Sequence, residues 1–571
     1  MGIERDKKER ITVIVLWICS ILVNIKSIFV DFDVDSAYAM TMSYRNIMGD
    51  GMFTKMWEPH QTSGFFLSIL EYPYFMFKHQ EYAEGLAIYL QTLSVLFFFA
   101  VVFLFHRFLK KRTTYFLSHI IPICLFVFRP KQLVIMEFSN MLMFFSLILF
   151  MLLIKYFETE RWLYLVLAAV SLCLCVLSYP SALLIYFALI PAFILYSNKK
   201  VPSIICFTIV CLLIGCAYVG YFLYRMGLKG LLAVPGNIFS ADSSHSESQV
   251  TTAYYFQDTL IGFSIAAGCF LLAFVISRAV KNKIRIGIFS IFIVLFASVN
   301  TVLLFIGEAK GADRDNFAYS LYTVIFLILI VFGIIKGKNA DKPYKRMFYT
   351  SLMISGATFI AVVLLTNQPI STAFPYLIIA SFMSLICVNK KDLFAGQDNR
   401  TVMIFPITVC IFMILYSGLT IRDNAASTSL IFGVKNVVRK GPEKGIVAGY
   451  MSYYKNLCDY DEFAEHIHNK ESLLIVTNGV IDSSLYLYRP VNISHYSTIS
   501  TSTYDEHLQK YWEIYPEKIP DVIAAEFWYG EQHTEKDSWI MDYIEDNYYL
   551  EYEGNYWRYY RRKQADLQSD M

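Results

Sequence analysis

Thirteen apolar runs of membrane-spanning length constrain this 571-residue chain more than any other feature. They lie at roughly 11–30, 83–105, 114–128, 139–157, 162–178, 181–197, 202–224, 259–277, 286–306, 317–335, 348–366, 371–388 and 402–420. Inside a bilayer the backbone has no water to pair with, so runs of this length and frequency predict helices that satisfy their own polar groups. The expected class is a polytopic α-helical membrane protein. Composition agrees, with 56% hydrophobic against 17% charged residues. A net charge of +2 gives no electrostatic footprint for nucleic acid, so the placement of charge carries more than its sum.

That placement predicts the topology. From "ERDKKER" onward, alternate connections carry "HRFLKKR", "ETER", "NKK", "SRAVKNKIR", "KGKNADKPYKR" and a second "NKK", which the positive-inside rule assigns to the cytoplasm together with the N-terminus. The 31–82 loop, the 225–258 loop and everything after about residue 421 then face outward. Two regions follow: a bundle over 1–420 that includes the 31–82 loop, and an extracytoplasmic domain over 421–571. The first apolar run lacks a small-residue cleavage site and reads as a retained anchor. Ten of the eleven cysteines fall in or at expected spans and Cys458 stands alone outside them, so no disulfide is expected in the outer domain.

In the first outer loop, Ala37, Met40, Tyr44, Ile47 and Met48 recur at helical spacing from Asp35, and "GDG" at 49–51 supplies a stop. The expectation is an amphipathic helix on the membrane surface. A second helix through "SGFFLSILEYPYFMF" is expected to break at Pro73. In the last region, "DYDEFAEHIHNK", "STYDEHLQKYWEIY" and "DSWIMDYIEDNY" have helical spacing, whereas "SLLIVTN", "PDVIAAE" and "YYLEYEGNYWRYYRR" have strand character, the last turning at Glu553–Gly554–Asn555. A small α/β domain fits this alternation.

The residues that bear on chemistry begin at "VDFDVDSAY", where Asp31, Asp33 and Asp35 follow the first span at alternate positions. A carboxylate there can cap a helix, or it can act as a general base where an external hydroxyl meets a lipid-borne donor. The stretch "DVDSAYAMTMSYRNIMGDGMF", together with the span number, the long first loop and "YWEIYPEKIPDVI" in the outer domain, resembles the GT-C superfamily of membrane glycosyltransferases, in particular bacterial relatives of protein O-mannosyltransferases and lipid A aminoarabinose transferases. The resemblance implies a GT-C-like bundle in a bacterial cell membrane. It also implies inverting transfer of a sugar from a polyprenyl-phosphate donor to a glycan, lipid or protein acceptor, with a first-loop Asp as base.

Asp35, with Tyr38 three positions on, has the family spacing, but Ser36 stands where a second acid is usual, so Asp33 stays open as the alternative base. As a DxD pair, Asp33 and Asp35 also present the hard oxygens that Mg or Mn takes, although family members work with or without metal. The departing phosphate needs cations, which "RPKQ" offers through Arg129 and Lys131 and "KGADRDN" through Lys310 and Arg314. Glu137 is either a second site acid or a helix cap. In "WEPHQTSG", Trp57, Glu58, His60 and Gln61 suit a sugar ring and its hydroxyls, or else an interfacial aromatic anchor.

Other classes remain in view. A polysaccharide polymerase or ligase would work through a later outer loop, with Arg225, Lys229 and His245. A lipid-linked sugar transporter or flippase would need ionisable residues near the midplane, where these spans offer little beyond His119. An inactive scaffold for envelope assembly would need no site at all.

Overall fold

The computed structural model describes residues 2–30, 32, 34–57, 61–77, 83–130, 133–239, 263–276, 291–292, 294–299, 302, 314–365, 373–387, 399–423, 426–431, 436–448, 460–468, 471–476, 492–499, 505–526, 539–554 and 557–563. Its membrane part is helical: α1 (Gly2–Val30), α4 (Leu86–Lys110), α5 (Tyr115–Val127), α6 (Phe138–Thr159), α7 (Trp162–Ser178), α8 (Leu184–Tyr196) and α9 (Lys200–Phe239) are followed by helices at Arg314–Gly337, Lys342–Leu365, Ile378–Cys387 and Asn399–Leu419. Between α1 and α4, the first loop supplies α2 (Val34–Ile47) and α3 (Gln61–Phe77).

Among the described residues, five helices are long and apolar enough to cross a membrane by length and composition: Lys7–Val30, Leu86–Lys110, Phe138–Thr159, Lys200–Val234 and Lys342–Val363. Shorter apolar helices overlie other expected spans, such as Tyr115–Val127, Trp162–Ser178 and Phe263–Ile276. Pro122, Pro191 and Pro406 sit inside three of the helical segments, where each removes a backbone donor. The α6 helix is buried along most of its length, whereas α9 exposes most of its apolar side chains, as a lipid-facing helix does.

Polar contacts sort the helix ends into two sides. On one, Arg112 after α4 binds Glu158 at the end of α6 (Nε to Oε1, 2.9 Å), and Arg346 reaches the Phe157 carbonyl at 2.9 Å. Glu160 also accepts the Asn198 N–H at 2.8 Å, so four connections assigned to one face do share it. On the other, Lys26 of α1 donates to the Ser417 carbonyl at 2.8 Å. The free N–H groups that start α4 are taken up from outside the helix: Gly85 N–H donates to the Gly441 carbonyl and Ala87 N–H to that of Pro442, both at 3.1 Å.

The C-terminal region contains an α/β fold, with additions to the expected elements. Two small antiparallel pairs, β1 (Thr420–Asp423) with β2 (Ala426–Leu430) and β3 (Asn436–Val437) with β4 (Val447–Ala448), lead into a five-stranded sheet. Its strands β5 (Ser472–Val476), β6 (Asn492–Ile499), β7 (Val522–Glu526), β8 (Tyr548–Glu553) and β9 (Trp557–Arg562) run in the order β6-β5-β7-β9-β8. The β5 strand is parallel to β6 and β7, and β9 is antiparallel to β7 and β8. Alternation divides the core: Leu474, Val476, Ile523 and Ala525 pack on Leu508, Trp512, Ile540 and Ile544 from two helices, while Leu473, Ile475, Val522 and Ala524 pack on Phe463 and Ile467 with Trp557 and Tyr559.

Two expectations for the first loop are corrected. The α2 helix does not lie on a surface with one face in water: Ser36, Thr41, Ser43 and Arg45 are buried along with Ala37, Met40 and Tyr44. Its polar side chains are covered because α3 and the outer domain close over it. The α3 helix runs unbroken past Pro73 to Phe77. Its last turn is held by Tyr74 and Phe75, buried against Tyr44 and Tyr89, and by a hydrogen bond from the Tyr74 hydroxyl to the Glu84 carbonyl.

Candidate active site

Asp35 stands in the first turn of α2, half-buried, where the helix dipole favours a carboxylate. Helical spacing puts Tyr38 and Met42 on the same face, one and two turns on. Tyr38 is half-buried and bridges the main core to a separate apolar cluster of Met42, Met52, Met56 and Phe222, joined by Phe53, Tyr218 and Met226. Phe222 and Met226 come from α9, just before a kink at Gly227, whose φ is 69°. Phe53 adopts a left-handed φ of 59°, unusual for an aromatic residue, and this turns its ring edge-on to Phe222 at 5.1 Å. Unbranched thioethers around flexible aromatic neighbours make an adaptable apolar surface.

One cation approaches this cluster. A Cβ added at Gly51 would lie 3.8 Å from the Arg225 guanidinium and 2.4 Å from Thr54 Oγ1, so any side chain there would have to displace that of Thr54. Sequence reasoning placed Arg225 in a rival site on another loop. Its nearness to the first loop has no local signal, since it depends on how α9 packs beside the Gly51 turn, two residues before its kink at Gly227.

The other residues predicted for the site divide. Trp57 is not available to stack on a sugar: it is buried in the outer-domain core, edge-on to Tyr511 at 5.1 Å and Tyr515 at 6.2 Å, with its Nε1–H donating to the Thr54 carbonyl at 2.9 Å. Its large apolar surface ties the end of the loop into the domain. Glu137 caps α6, accepting the N–H groups of Ser139 at 2.8 Å and Asn140 at 2.7 Å, so the cap reading of this residue holds. Arg129 is buried in the connection between α5 and α6, with its guanidinium 5.4 Å from the centre of the Phe98 ring. Gln61 opens α3 and Arg314 opens the Arg314–Gly337 helix. Asp33, Glu58, His60, Lys131, Lys310, His245 and Cys458 lie outside the described residues.

Electrostatics in the loop centre on two carboxylates. Asp50 receives Arg45 Nε at 3.0 Å and Lys518 Nζ at 2.6 Å. Glu71 of α3 is fully buried near Ser43 and Tyr44 of α2, and neither of its oxygens has a hydrogen-bond partner among the described residues. Burial pushes its carboxyl well above the usual carboxylate range, with the Ser43 hydroxyl pulling the other way. The Tyr44 phenol is raised as well, by burial first and by Glu71 second. No motif marked Glu71 in advance, because it sits within an otherwise apolar helix.

Among the described residues no three His, Cys, Asp or Glu side chains gather as a metal site. Asp33, the other half of the DxD pair, lies outside the described residues.

No protein-family model and no curated protein matches the chain. Among solved structures it is similar to the archaeal oligosaccharyltransferase AglB from Archaeoglobus fulgidus in complex with an inhibitory peptide and a dolichol-phosphate, at 11% identity and a TM-score of 0.40 over 99% of this chain and 75% of that one. It is also similar to ArnT from Cupriavidus metallidurans in the apo state, at 10% identity and a TM-score of 0.41 over 96% and 97% of the two chains. The apo form of the Archaeoglobus fulgidus oligosaccharyltransferase aligns in the same way, at 11% identity and a TM-score of 0.40 over 98% of this chain and 75% of that one.

Proposed function

We propose that the chain is an integral-membrane glycosyltransferase that moves a sugar from a polyprenyl-phosphate donor to a hydroxyl on an extracytoplasmic glycan, lipid or protein, with Asp35 as general base. The observation that carries this reading is the setting of Asp35. It opens α2 directly after the first membrane helix, half-buried, with Tyr38 on its face and a methionine-rich apolar cluster beside it. A base for this reaction has to stand where a water-borne hydroxyl meets a lipid-borne sugar.

In the proposed step the Asp35 carboxylate takes the proton of the acceptor hydroxyl while that oxygen bonds to the anomeric carbon. The bond from that carbon to the phosphate oxygen breaks with its electron pair, polyprenyl phosphate leaves, and the configuration inverts. Arg225, and Arg129 deeper in the bundle, are the cations offered for the charge that develops on phosphate. The Met42, Met52, Met56 and Phe222 cluster suits the first units of a branched hydrocarbon chain. Asp33 remains the alternative base. A divalent cation held by Asp33 and Asp35 belongs to the proposal only as a variant that a chelator tests. The orientation proposed puts the N-terminus in the cytoplasm and the α/β domain outside the cell membrane.

A second reading, polymerisation or ligation of a polysaccharide through Arg225, draws on the approach of Arg225 to Gly51. Transfer from radiolabelled polyprenyl-phosphate monosaccharides to envelope extracts, by the purified protein in lipid, separates the two. Activity with a monosaccharide donor supports the first, and activity confined to lipid-linked oligosaccharides supports the second.

A further inference from the structure

One buried set of charges joins the first loop to the outer domain. Asp50 follows α2 and is gripped from two sides, by Arg45 Nε of α2 at 3.0 Å on Oδ2 and by Lys518 Nζ of the outer domain at 2.6 Å on Oδ1. All three are largely withdrawn from water, with side-chain exposures of 2% for Arg45, 11% for Asp50 and 13% for Lys518. A second contact repeats the link: the Lys55 carbonyl accepts both Arg45 Nη2 at 2.8 Å and the Tyr511 hydroxyl at 2.6 Å. Two residues later Trp57 is sunk in the domain core.

Ion pairs of this kind are poor stabilisers relative to apolar packing of the same volume, but they tolerate little displacement. A carboxylate fixed between a cation of α2 and one of the outer domain sets how far, and in which rotation, the helix stands. Arg45 and Asp35 are ten residues apart on that helix, about 15 Å of rigid rise. Any shift of the domain is therefore delivered to the first turn of α2.

We propose that Asp50, held between Arg45 and Lys518, is a positioning residue through which the outer α/β domain sets the placement of Asp35. The proposal rests on the reading of Asp35 as the base, and its test separates the two. Full-length wild type, Asp50→Asn, Lys518→Met and Lys518→Arg are compared in lipid for kcat and KM with a polyprenyl-phosphate sugar, and for amide hydrogen exchange along residues 34–57.

Asp50→Asn and Lys518→Met are expected to lower kcat about 10- to 100-fold, as a sub-ångström to 1 Å misplacement does. KM for the donor should stay unchanged and exchange should quicken from residue 45 back to residue 34. Lys518→Arg, which keeps charge and reach, is expected to restore most of kcat. Unchanged kcat in Lys518→Met, or quickened exchange confined to 45–57, overturns the proposal and leaves a purely structural link. If the wild type transfers no sugar, the glycosyltransferase reading fails, and exchange alone decides: loss of protection over 34–38 in Lys518→Met supports the coupling, and its retention overturns it.

Discussion

Gly64 of α3 meets Met42 of α2 with no room for a side chain. A Cβ built on Gly64 would lie 2.9 Å from Met42 Cβ, 3.0 Å from the Met42 carbonyl carbon and 3.0 Å from the Ser43 nitrogen. Because two of those atoms are backbone, the contact cannot be relieved by a rotamer change. Gly64→Ala is expected to push α2 from α3 at a cost of about 1–3 kcal/mol. Thermal melts in lipid or detergent, read alongside sugar transfer, check this: a lower melting temperature with reduced transfer is the expected pair.

Trp57 gives a test that separates packing from sugar recognition. Trp57→Ala should destabilise by about 3–5 kcal/mol, as truncating a large buried aromatic side chain does. Trp57→Phe keeps a ring but loses the bond to the Thr54 carbonyl, worth about 1 kcal/mol. The measurement is unfolding of the outer domain followed by intrinsic fluorescence. A rise in KM for the sugar donor with stability unchanged would return Trp57 to the binding site.

Glu71 should make stability depend on pH. Its folded pKa is raised above the ordinary carboxylate value, so above that ordinary value the unfolded chain releases a proton that the folded chain keeps. Stability attributable to this residue therefore falls as pH rises, from the ordinary carboxylate range up to the raised folded pKa, with the Tyr44 phenol as the titratable group beside it. Glu71→Gln is expected to flatten that slope and to melt higher than wild type at neutral pH. A melting series from acid to neutral pH reads both effects.

What was legible in advance follows physical lines. Helices over the apolar runs and the β5, β7 and β8–β9 strands could be read because each announces itself by local periodicity. The β6 strand, "NISHYSTI", could not, since its mixed polar sequence has no apolar face and its pairing comes from β5. That Asp35 and Tyr38 share a helix face was legible because they are three residues apart in one periodic segment. The placements of Arg225, Lys518 and Glu71 were not, because they depend on three-dimensional proximity: α9 passing the Gly51 turn, the C-terminal domain folding back onto Asp50, and α3 closing over α2. For Trp57 the choice between a sugar ring and an interfacial anchor stays open in sequence, and the fold puts it in neither place but in the core of the C-terminal domain.

Glu137 is expected to act through the helix it caps. Glu137→Ala should cost about 1 kcal/mol, and Glu137→Ser, which can still accept from the first turn of α6, should recover part of it. Loss of turnover in both variants without any change in melting would instead place Glu137 among the reacting groups.

The measurement that bears most directly on the proposed function is single-turnover sugar transfer by Asp35→Asn, beside Asp33→Asn and wild type, in lipid with and without a chelator. Donor binding and the melting temperature are followed in parallel. The expected result is transfer abolished in Asp35→Asn while folding, donor binding and the chelator-treated wild type are unaffected. Wild-type turnover in Asp35→Asn would contradict the first-loop mechanism, and loss confined to Asp33→Asn would move the base two residues toward the membrane.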